Sequence, residues 1–507
     1  TKVVVVSASS GVTNKLVALT QATTTAEQSK QLIKQIASIQ YQILDKLGNP
    51  SDVAAVIDKV LSHISVLAER LVLTRSKAVM DELLSQGEMC SSVFFAAVLR
   101  EKGAAAVAFD VRQVLRTDSH HGRAEPQIEM IAELAQSQLL PQLASQVIVT
   151  QGFIGADETG ATTTLGRGGS DYSAALLAEA LRATAVEIWT DVAGIYTTDP
   201  RLAPNAKPIA EISFNEAAEM ATFGAKVLHP KTVAPIAQYH IPCYIRNTLN
   251  PEAVGTLVSN EPDETGLNVK AISNLDEQTM FDVSGPGMKG MVGMASRTLG
   301  AISRSGVSVS LITQSSSEYS ISFCVATEDA AKAKYALEQE FDLELKSELL
   351  EPIEMRHQLA IVSLIGDGMR THKGVAAKFF QALAQATVNI VAIAQGSSER
   401  SISAVVEQRK TKHAISACHQ SFFDVQHYLD VFLVGCGNVG AGLLEQIKQQ
   451  RQLLKEQHIA VRVCGTANSK QMLLDAQGID LSNWQGLLAD SQQTANIEDM
   501  LLWAKEQ

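Results

Sequence analysis

The stretch Thr162-Thr163-Thr164-Leu165-Gly166-Arg167-Gly168-Gly169-Ser170-Asp171 gathers hydroxyls, glycines, one guanidinium and one carboxylate directly ahead of a helical run, Tyr172 to Ala183. Backbone N–H groups at a turn that opens a helix, with the positive helix end behind them, make a place for an anion. Glycine lets the backbone come close to it. Arg167 adds a planar fork that matches a carboxylate or a phosphate. The same residues also suit a plain surface loop in which Ser170 caps the helix and Asp171 sits in its first turn. No G-x-x-x-x-G-K-[ST] phosphate loop accompanies the stretch, so taken alone it decides little.

A second glycine turn lies far downstream. Gly435-Cys436-Gly437-Asn438-Val439-Gly440 follows an apolar strand, Val431 to Val434, and opens an amphipathic helix that leads to a second strand, Ala460 to Cys464. That order is the start of a dinucleotide-binding βαβ unit. Beyond the second strand stand Asn468-Ser469-Lys470, where an acid would bind the ribose hydroxyls. A lysine without that acid favours a 2′-phosphate, hence NADP(H).

These groups need elements to hold them. From Thr1 to about Pro262, short apolar runs (Val3–Ser7, Ala105–Asp110, Val147–Phe153, Val186–Trp189) alternate with helical periodicity. This predicts an α/β region, a mostly parallel sheet covered by helices on both faces. Glu261 to Gly266 is polar with breakers and reads as a linker. From 267 to 428 the chain repeats itself. Gly285-Pro286-Gly287-Met288-Lys289 returns as Gly366-Asp367-Gly368-Met369-Arg370, and Gln314-Ser315-Ser316-Ser317-Glu318 as Gln395-Gly396-Ser397-Ser398-Glu399. The offset between matches is a constant 81 residues, so the region is a duplication, with units of about 267–350 and 351–428. Residues 429–507 form part of a nucleotide-binding Rossmann domain.

Composition excludes several classes. The 507 residues call for two to four domains, and 46% hydrophobic with 19% charged residues is ordinary for a globular protein. A net charge of -12 argues against a nucleic-acid partner. Six scattered cysteines without a C-x-x-C pair fit buried thiols of a reducing compartment. No apolar run approaches the roughly 20 residues of a membrane helix, and no signal segment is evident. The expectation is a cytoplasmic protein with neither membrane nor nucleic-acid partner. No metal site is assigned to the protein itself.

Read together with Trp189-Thr190-Asp191-Val192-Ala193-Gly194-Ile195-Tyr196-Thr197-Thr198-Asp199-Pro200-Arg201 and Phe223-Gly224-Ala225-Lys226-Val227-Leu228-His229-Pro230, the first glycine loop resembles the amino-acid kinase family, specifically the aspartokinases. Ser7-Ala8-Ser9-Ser10-Gly11-Val12-Thr13-Asn14 and Gly87-Glu88 resemble that family's substrate-side motifs, in the family's order. The duplicated region resembles a tandem pair of ACT domains, βαββαβ modules that bind amino acids, and Gly285 to Val325 looks most like the threonine-sensitive bifunctional branch. The second glycine turn resembles the cofactor loop of homoserine dehydrogenase. The whole order is that of the bifunctional aspartokinase–homoserine dehydrogenases.

The resemblance implies ATP-dependent phosphorylation of the side-chain carboxylate of L-aspartate to 4-phospho-L-aspartate, the first step toward threonine, methionine and lysine. It implies Arg167, Gly168, Ser170, Thr13 and Glu88 for aspartate, with Arg167 on a carboxylate and Glu88 on the ammonium. Asp171 organises Mg2+ or a nearby lysine, and Thr190, Asp191, Tyr196, Arg201 and Lys226 serve ATP. Gln314 and Gln395 would hold L-threonine as effector, through buried amides that donate and accept at once. Gly435, Gly437, Asn438, Val439 and Gly440 would hold NADP(H), and ACT sheets would join subunits of a homo-oligomer. The family's Lys-Phe-Gly-Gly strand does not occur in the chain and is expected ahead of Thr1, with most of the dehydrogenase after Gln507. On that ground the chain could instead be a silent regulatory fragment that binds an amino acid and oligomerises.

Overall fold

A computed structural model describes residues 2–21, 23–225, 228–260, 269–314, 319–423, 427–456, 459–476 and 478–506. The chain divides into two units, Thr1–Cys418 and His419–Gln507.

The first unit opens with β1 (Val3–Val6), followed by α1 (Val12–Thr20), α2 (Ala26–Lys46), α3 (Ser51–Thr74) and α4 (Lys77–Glu101). Then come β2 (Ala106–Phe109), α5 (Ile128–Leu134), β3 (Val147–Gln151), the hairpin β4 (Ile154–Ala156) and β5 (Thr162–Thr164), and α6 (Gly169–Leu181). The strands β1, β3 and β2 form a parallel sheet in that order, with Val3 opposite Ile148 and Ala106 opposite Val147. Its central strand, Val147-Ile148-Val149-Thr150-Gln151, is β-branched but for its last residue and almost wholly buried, as a strand covered on both faces must be. The helix α4 packs along all three of these strands and against β5. Its residues Val79, Leu83, Cys90, Phe94 and Ala97 join α1, α2 and α3 in one apolar cluster.

A second sheet follows from β6 (Val186–Thr190), β7 (Glu211–Ser213), α7 (Phe214–Thr222), α8 (Pro230–Gln238), β8 (Cys243–Asn247) and β9 (Thr256–Ser259). Its order is β6-β8-β9-β7, with β6 parallel to β8 and β8 antiparallel to β9. Local chemistry sets the helix starts. Ser213 and Glu216 form a reciprocal capping box at the head of α7, and Pro230 occupies the first turn of α8 behind the capping residue His229.

The duplicated region contains β10 (Ala271–Ser284), α9 (Met294–Arg304), β11 (Val309–Gln314), β12 (Ser320–Ala326), α10 (Ala330–Glu340) and α11 (Asp342–Lys346). The second copy supplies β13 (Glu354–Ile365), α12 (Val375–Gln385), β14 (Ile390–Gln395), β15 (Ser401–Glu407) and α13 (Thr411–Phe423). Both copies feed one six-stranded antiparallel sheet, order β11-β12-β10-β13-β15-β14. Gln278 pairs directly with Leu359, its own equivalent 81 residues on, so a pseudo-twofold axis passes between β10 and β13. Glu277 and Gln358, also equivalent, both take positive φ at the bulge beside that axis. The apolar runs Val307–Ile312 and Val388–Ile393 precede the glutamines Gln314 and Gln395, and strands confined to them would end before those residues. Instead the strands start two residues later and close on Gln314 and Gln395 themselves.

The second unit holds β16 (His427–Val434), α14 (Asn438–Glu456), β17 (Ile459–Ala467), β18 (Gln471–Leu474), α15 (Trp484–Ala489), β19 (Gln493–Thr494) and α16 (Ile497–Glu506). The parallel pair β16 and β17 flanks the crossover helix α14, the expected βαβ start, and β18 and β19 extend the sheet antiparallel. No helix among the described residues is long and apolar enough to cross a membrane.

Candidate active site

Four segments converge at the carboxyl ends of β1 and β3, where open α/β sheets place their ligands. The amide of Gly152, just past β3, donates to Val6 O at 2.9 Å, which holds the two strand ends together. A side chain on Gly152 would strike Ser170 (2.7 Å to its Cα), so the head of α6 lies directly on this strand end. From the other side, Gly87 of α4 accepts Ala8 so closely that a Cβ there would come within 2.7 Å of it. Glycine at 87 and 152 is therefore a packing requirement.

Glu88 is the buried charge of this junction, 4% exposed. Its Oε1 accepts the Ala8 amide at 3.2 Å, and its Oε2 is buried without a partner among the described residues. Burial pushes its carboxyl up to about 7. An acceptor buried without a donor costs free energy unless a ligand supplies one. Thr13 lies exposed in the first turn of α1, behind Gly11, which takes positive φ.

The glycine loop is built by two left-handed turns. Gly166 and Gly168 have φ of 81° and 73°, and Gly168 caps α6. His229 lies so near Gly168 that a Cβ there would sit 2.5 Å from the histidine Cβ. Burial and the nearby charges of Lys231 and Arg167 lower the His229 pKa. Arg167 itself is exposed, and Lys231 pairs with Glu125 at 2.7 Å. Ser170 and Asp171 are half-buried in the first turn of α6, where the helix end favours negative charge. Burial nonetheless raises Asp171 to about 6. The Cys243 thiol of β8 is pushed up to about 12, first by burial and then by the charge of Asp171.

Of the residues expected to serve the nucleotide, Thr190 ends β6, and Asp191, Tyr196 and Arg201 follow it along the chain. The Thr190 hydroxyl donates to Asp191 at 3.2 Å; Tyr196 is half-buried and bridges to Pro208. Arg201 is exposed and folds back on Asp199, with Nε at 3.0 Å from Oδ1. Lys226 lies outside the described residues. Among the described residues no cluster of three or more His, Cys, Asp or Glu could hold a metal ion. A magnesium ion carried on nucleotide phosphates needs only one or two protein oxygens, a demand that Asp171 can meet.

Two expected features stand elsewhere than the amide chemistry suggested. Gln314 and Gln395 are exposed, not buried, because each ends an edge strand of the six-stranded sheet. They belong to one region nonetheless, since Leu311 of β11 and Val391, Ala392 and Ala394 of β14 pack into a shared apolar cluster. Asp81 escaped notice in the sequence. This buried carboxylate accepts three hydrogen bonds from the segments beside the glycine loop, and His121 Nδ1 lies 3.1 Å from it. Its position seven residues before Glu88, two helical turns along one face, was the signal.

In the second unit Gly435 has φ 103°, and a Cβ on Gly440 would lie 2.1 Å from Gly435 O, so neither position admits a side chain. Val439 is exposed at the head of α14. A cavity of about 320 Å3 adjoins this turn, lined by Gly435, Asn468, Ser469 and Asn496 among others. A glycine turn at a helix N-terminus beside a cavity fits the phosphate of a dinucleotide.

Comparison with known proteins decides the family. The lysine-sensitive aspartokinase 3 of Escherichia coli is 42% identical over 424 residues, which cover 83% of this chain and 93% of that one. The chain belongs to the aspartokinases. The amino acid kinase family matches residues 1–247, the ACT domain matches 281–341 and 362–422, and the NAD-binding domain of homoserine dehydrogenase matches 435–507. A bifunctional aspartokinase/homoserine dehydrogenase of Haemophilus influenzae is 44% identical over 99% of this aspartokinase chain, which spans 62% of that relative's length. Among solved structures, E. coli aspartokinase III in complex with aspartate and ADP, in its R-state, superposes with a TM-score of 0.75 at 42% identity, covering 83% of this chain and 93% of that one. The same enzyme with lysine and aspartate, in its T-state, gives 0.66 over the same shares. The kinase, duplicated regulatory and dehydrogenase segments thus follow one another in the order the sequence motifs implied.

Proposed function

We propose that the chain is an aspartate kinase that transfers the γ-phosphoryl group of ATP to the side-chain carboxylate of L-aspartate. The observation that carries this reading is Oε2 of Glu88, buried beside Ala8 past the end of β1 and without a partner among the described residues. An ammonium group satisfies it. Arg167 takes a carboxylate of the same molecule, and Thr13, Gly168 and Ser170 supply the remaining hydrogen bonds. Thr190, Asp191, Tyr196, Arg201 and Lys226 serve ATP, and Asp171 faces Mg2+ or a lysine.

The attacking carboxylate oxygen is already ionised at neutral pH, so no general base is required. Its bond to the γ-phosphorus forms as the bond to the bridging oxygen of ADP breaks, giving 4-phospho-L-aspartate and ADP. Positioning and charge neutralisation are most of the protein's work.

The regulatory sheet supports a feedback role, with threonine as effector at Gln314 and Gln395. It is wired into the nucleotide side: Ile272 N donates to Thr197 O at 2.7 Å, and the Ser273 hydroxyl to Phe223 O at 2.7 Å. Asp367 N donates to Glu216 Oε1 at 2.8 Å. We read the division as kinase 1–262, ACT pair 267–428 and Rossmann part 429–507, the last fused to the rest of a homoserine dehydrogenase using NADP(H). Gly435, Gly437, Asn438, Val439 and Gly440 would hold its pyrophosphate, and the cofactor supplies a hydride. Oligomers form through the ACT sheets.

ADP release with aspartate and ATP tests the reading, on the chain alone and on the chain preceded by a Lys-Phe-Gly-Gly strand. Aspartate-dependent release by either supports it. No release by either, with threonine binding retained, leaves the regulatory fragment as the correct reading.

A further inference from the structure

Asp81 is 1% exposed and lies on α4, about 10 Å along the helix axis from Glu88 and on the same face. Its Oδ1 accepts the Thr164 hydroxyl at 2.8 Å. Its Oδ2 accepts the amides of Thr164 at 3.1 Å and Gly122 at 2.9 Å, and His121 Nδ1 lies 3.1 Å from it. Thr164 ends β5, three residues before Arg167. Gly122 belongs to a turn whose carbonyl oxygen lies 3.3 Å from where a Cβ on Gly166 would stand, and Ala124 N donates to Thr164 O at 2.9 Å. One carboxylate therefore ties together α4, the end of β5 and the turn on which the glycine loop rests.

We propose that Asp81 is a positioning residue for the amino-acid substrate: it fixes Arg167 relative to Glu88. The helix α4 then carries both reference points. Glu88 meets the ammonium, and Asp81, two turns away, anchors the loop whose guanidinium meets a carboxylate. The gap between the two ionic contacts is set by a rigid helix and not by the loop. An apolar residue at 81 would leave the Thr164 and Gly122 amides without their acceptor. Asp81→Asn keeps the volume but turns one acceptor oxygen into a donor that faces donors.

The test is titration calorimetry on the full chain with L-aspartate and, separately, with a non-hydrolysable ATP analogue. Losing a charge-assisted contact of this kind weakens binding about 10- to 150-fold. Asp81→Asn is expected to weaken aspartate binding at least about tenfold and the ATP analogue less than about twofold. Thr164→Val, which removes one donor and keeps the shape, moves aspartate binding in the same direction by less, and adds little on top of Asp81→Asn. Equal loss for both ligands marks a merely structural role and overturns the inference. Where Asp81→Asn does not fold, Thr164→Val alone decides: selective weakening of aspartate supports the inference, and unchanged binding overturns it. The inference rests on the aspartate-kinase reading. A parent that binds no aspartate, either alone or preceded by the Lys-Phe-Gly-Gly strand, overturns both, and equal aspartate binding by parent and Asp81→Asn overturns this inference alone.

Discussion

The amide of Ala8 donates to Oε1 of Glu88 at 3.2 Å, and Oε2 of the same carboxylate lies buried with no partner among the described residues. The free protein thus holds a half-satisfied acid whose proton leaves only near pH 7. An ammonium group binds the ionised form. Aspartate affinity is therefore expected to fall about tenfold for each pH unit below 7 and to level off above it. Titrations between pH 5.5 and 8.5 check this; a flat profile refutes the role of Glu88.

The same group links stability to pH. In the unfolded chain it ionises near 4.5, in the folded chain near 7. Between those values only the folded state keeps the proton, so this contribution weakens as pH rises through the window and is constant above it. The loss is roughly 3 kcal/mol at most. Glu88→Gln should raise the denaturation midpoint of the first unit at pH 8 but hardly at pH 4.5, while abolishing aspartate binding. A variant with the parent's midpoint at both pH values would contradict the assignment of that proton.

Arg167 is exposed, so its removal should leave folding intact. A charge-assisted hydrogen-bond pair to a carboxylate contributes about 1.5–3 kcal/mol. Arg167→Ala is expected to raise the aspartate KM about 10- to 150-fold and to spare ATP. A variant that weakens ATP and spares aspartate would reverse the assignment.

Gly168 combines a φ of 73° with contact against His229. Gly168→Ala meets both strain and collision, and should lower stability by about 1–3 kcal/mol while displacing Arg167. Thermal unfolding beside aspartate KM measures both. Unchanged values for each would mean that the loop has room it does not show.

The feedback site proposed above consists of Gln314 and Gln395. Feedback needs threonine to bind the inactive arrangement more tightly than the active one, with a coupling of about 1–3 kcal/mol. Gln314→Ala and Gln395→Ala should each weaken threonine inhibition and retain kinase turnover. Titrations with threonine, lysine and methionine decide the effector: saturable binding of lysine alone sinks threonine, and normal inhibition in the double variant sinks the site.

Much of this molecule was legible before any coordinates. The periods of the apolar residues, the glycine turns at 166–169 and 435–440 and the constant offset of 81 residues are local or repeated signals. They encode elements, helix starts and the duplication because backbone geometry and side-chain alternation act over a few residues at a time. What the residues alone left open is which distant groups meet. Glu88 became a candidate by its place in a motif, but its burial against the Ala8 amide exists only because Gly87 lets α4 close on the end of β1. Gln314 and Gln395 were expected to be buried, and they lie exposed because the two copies join at β10 and β13, which leaves β11 and β14 as the edges. Asp81 is a polar residue on an amphipathic helix until Thr164, from a strand 83 residues away, turns its hydroxyl and amide toward it. Burial and hydrogen-bond satisfaction depend on contacts between segments far apart in the chain, so tertiary packing alone decides them.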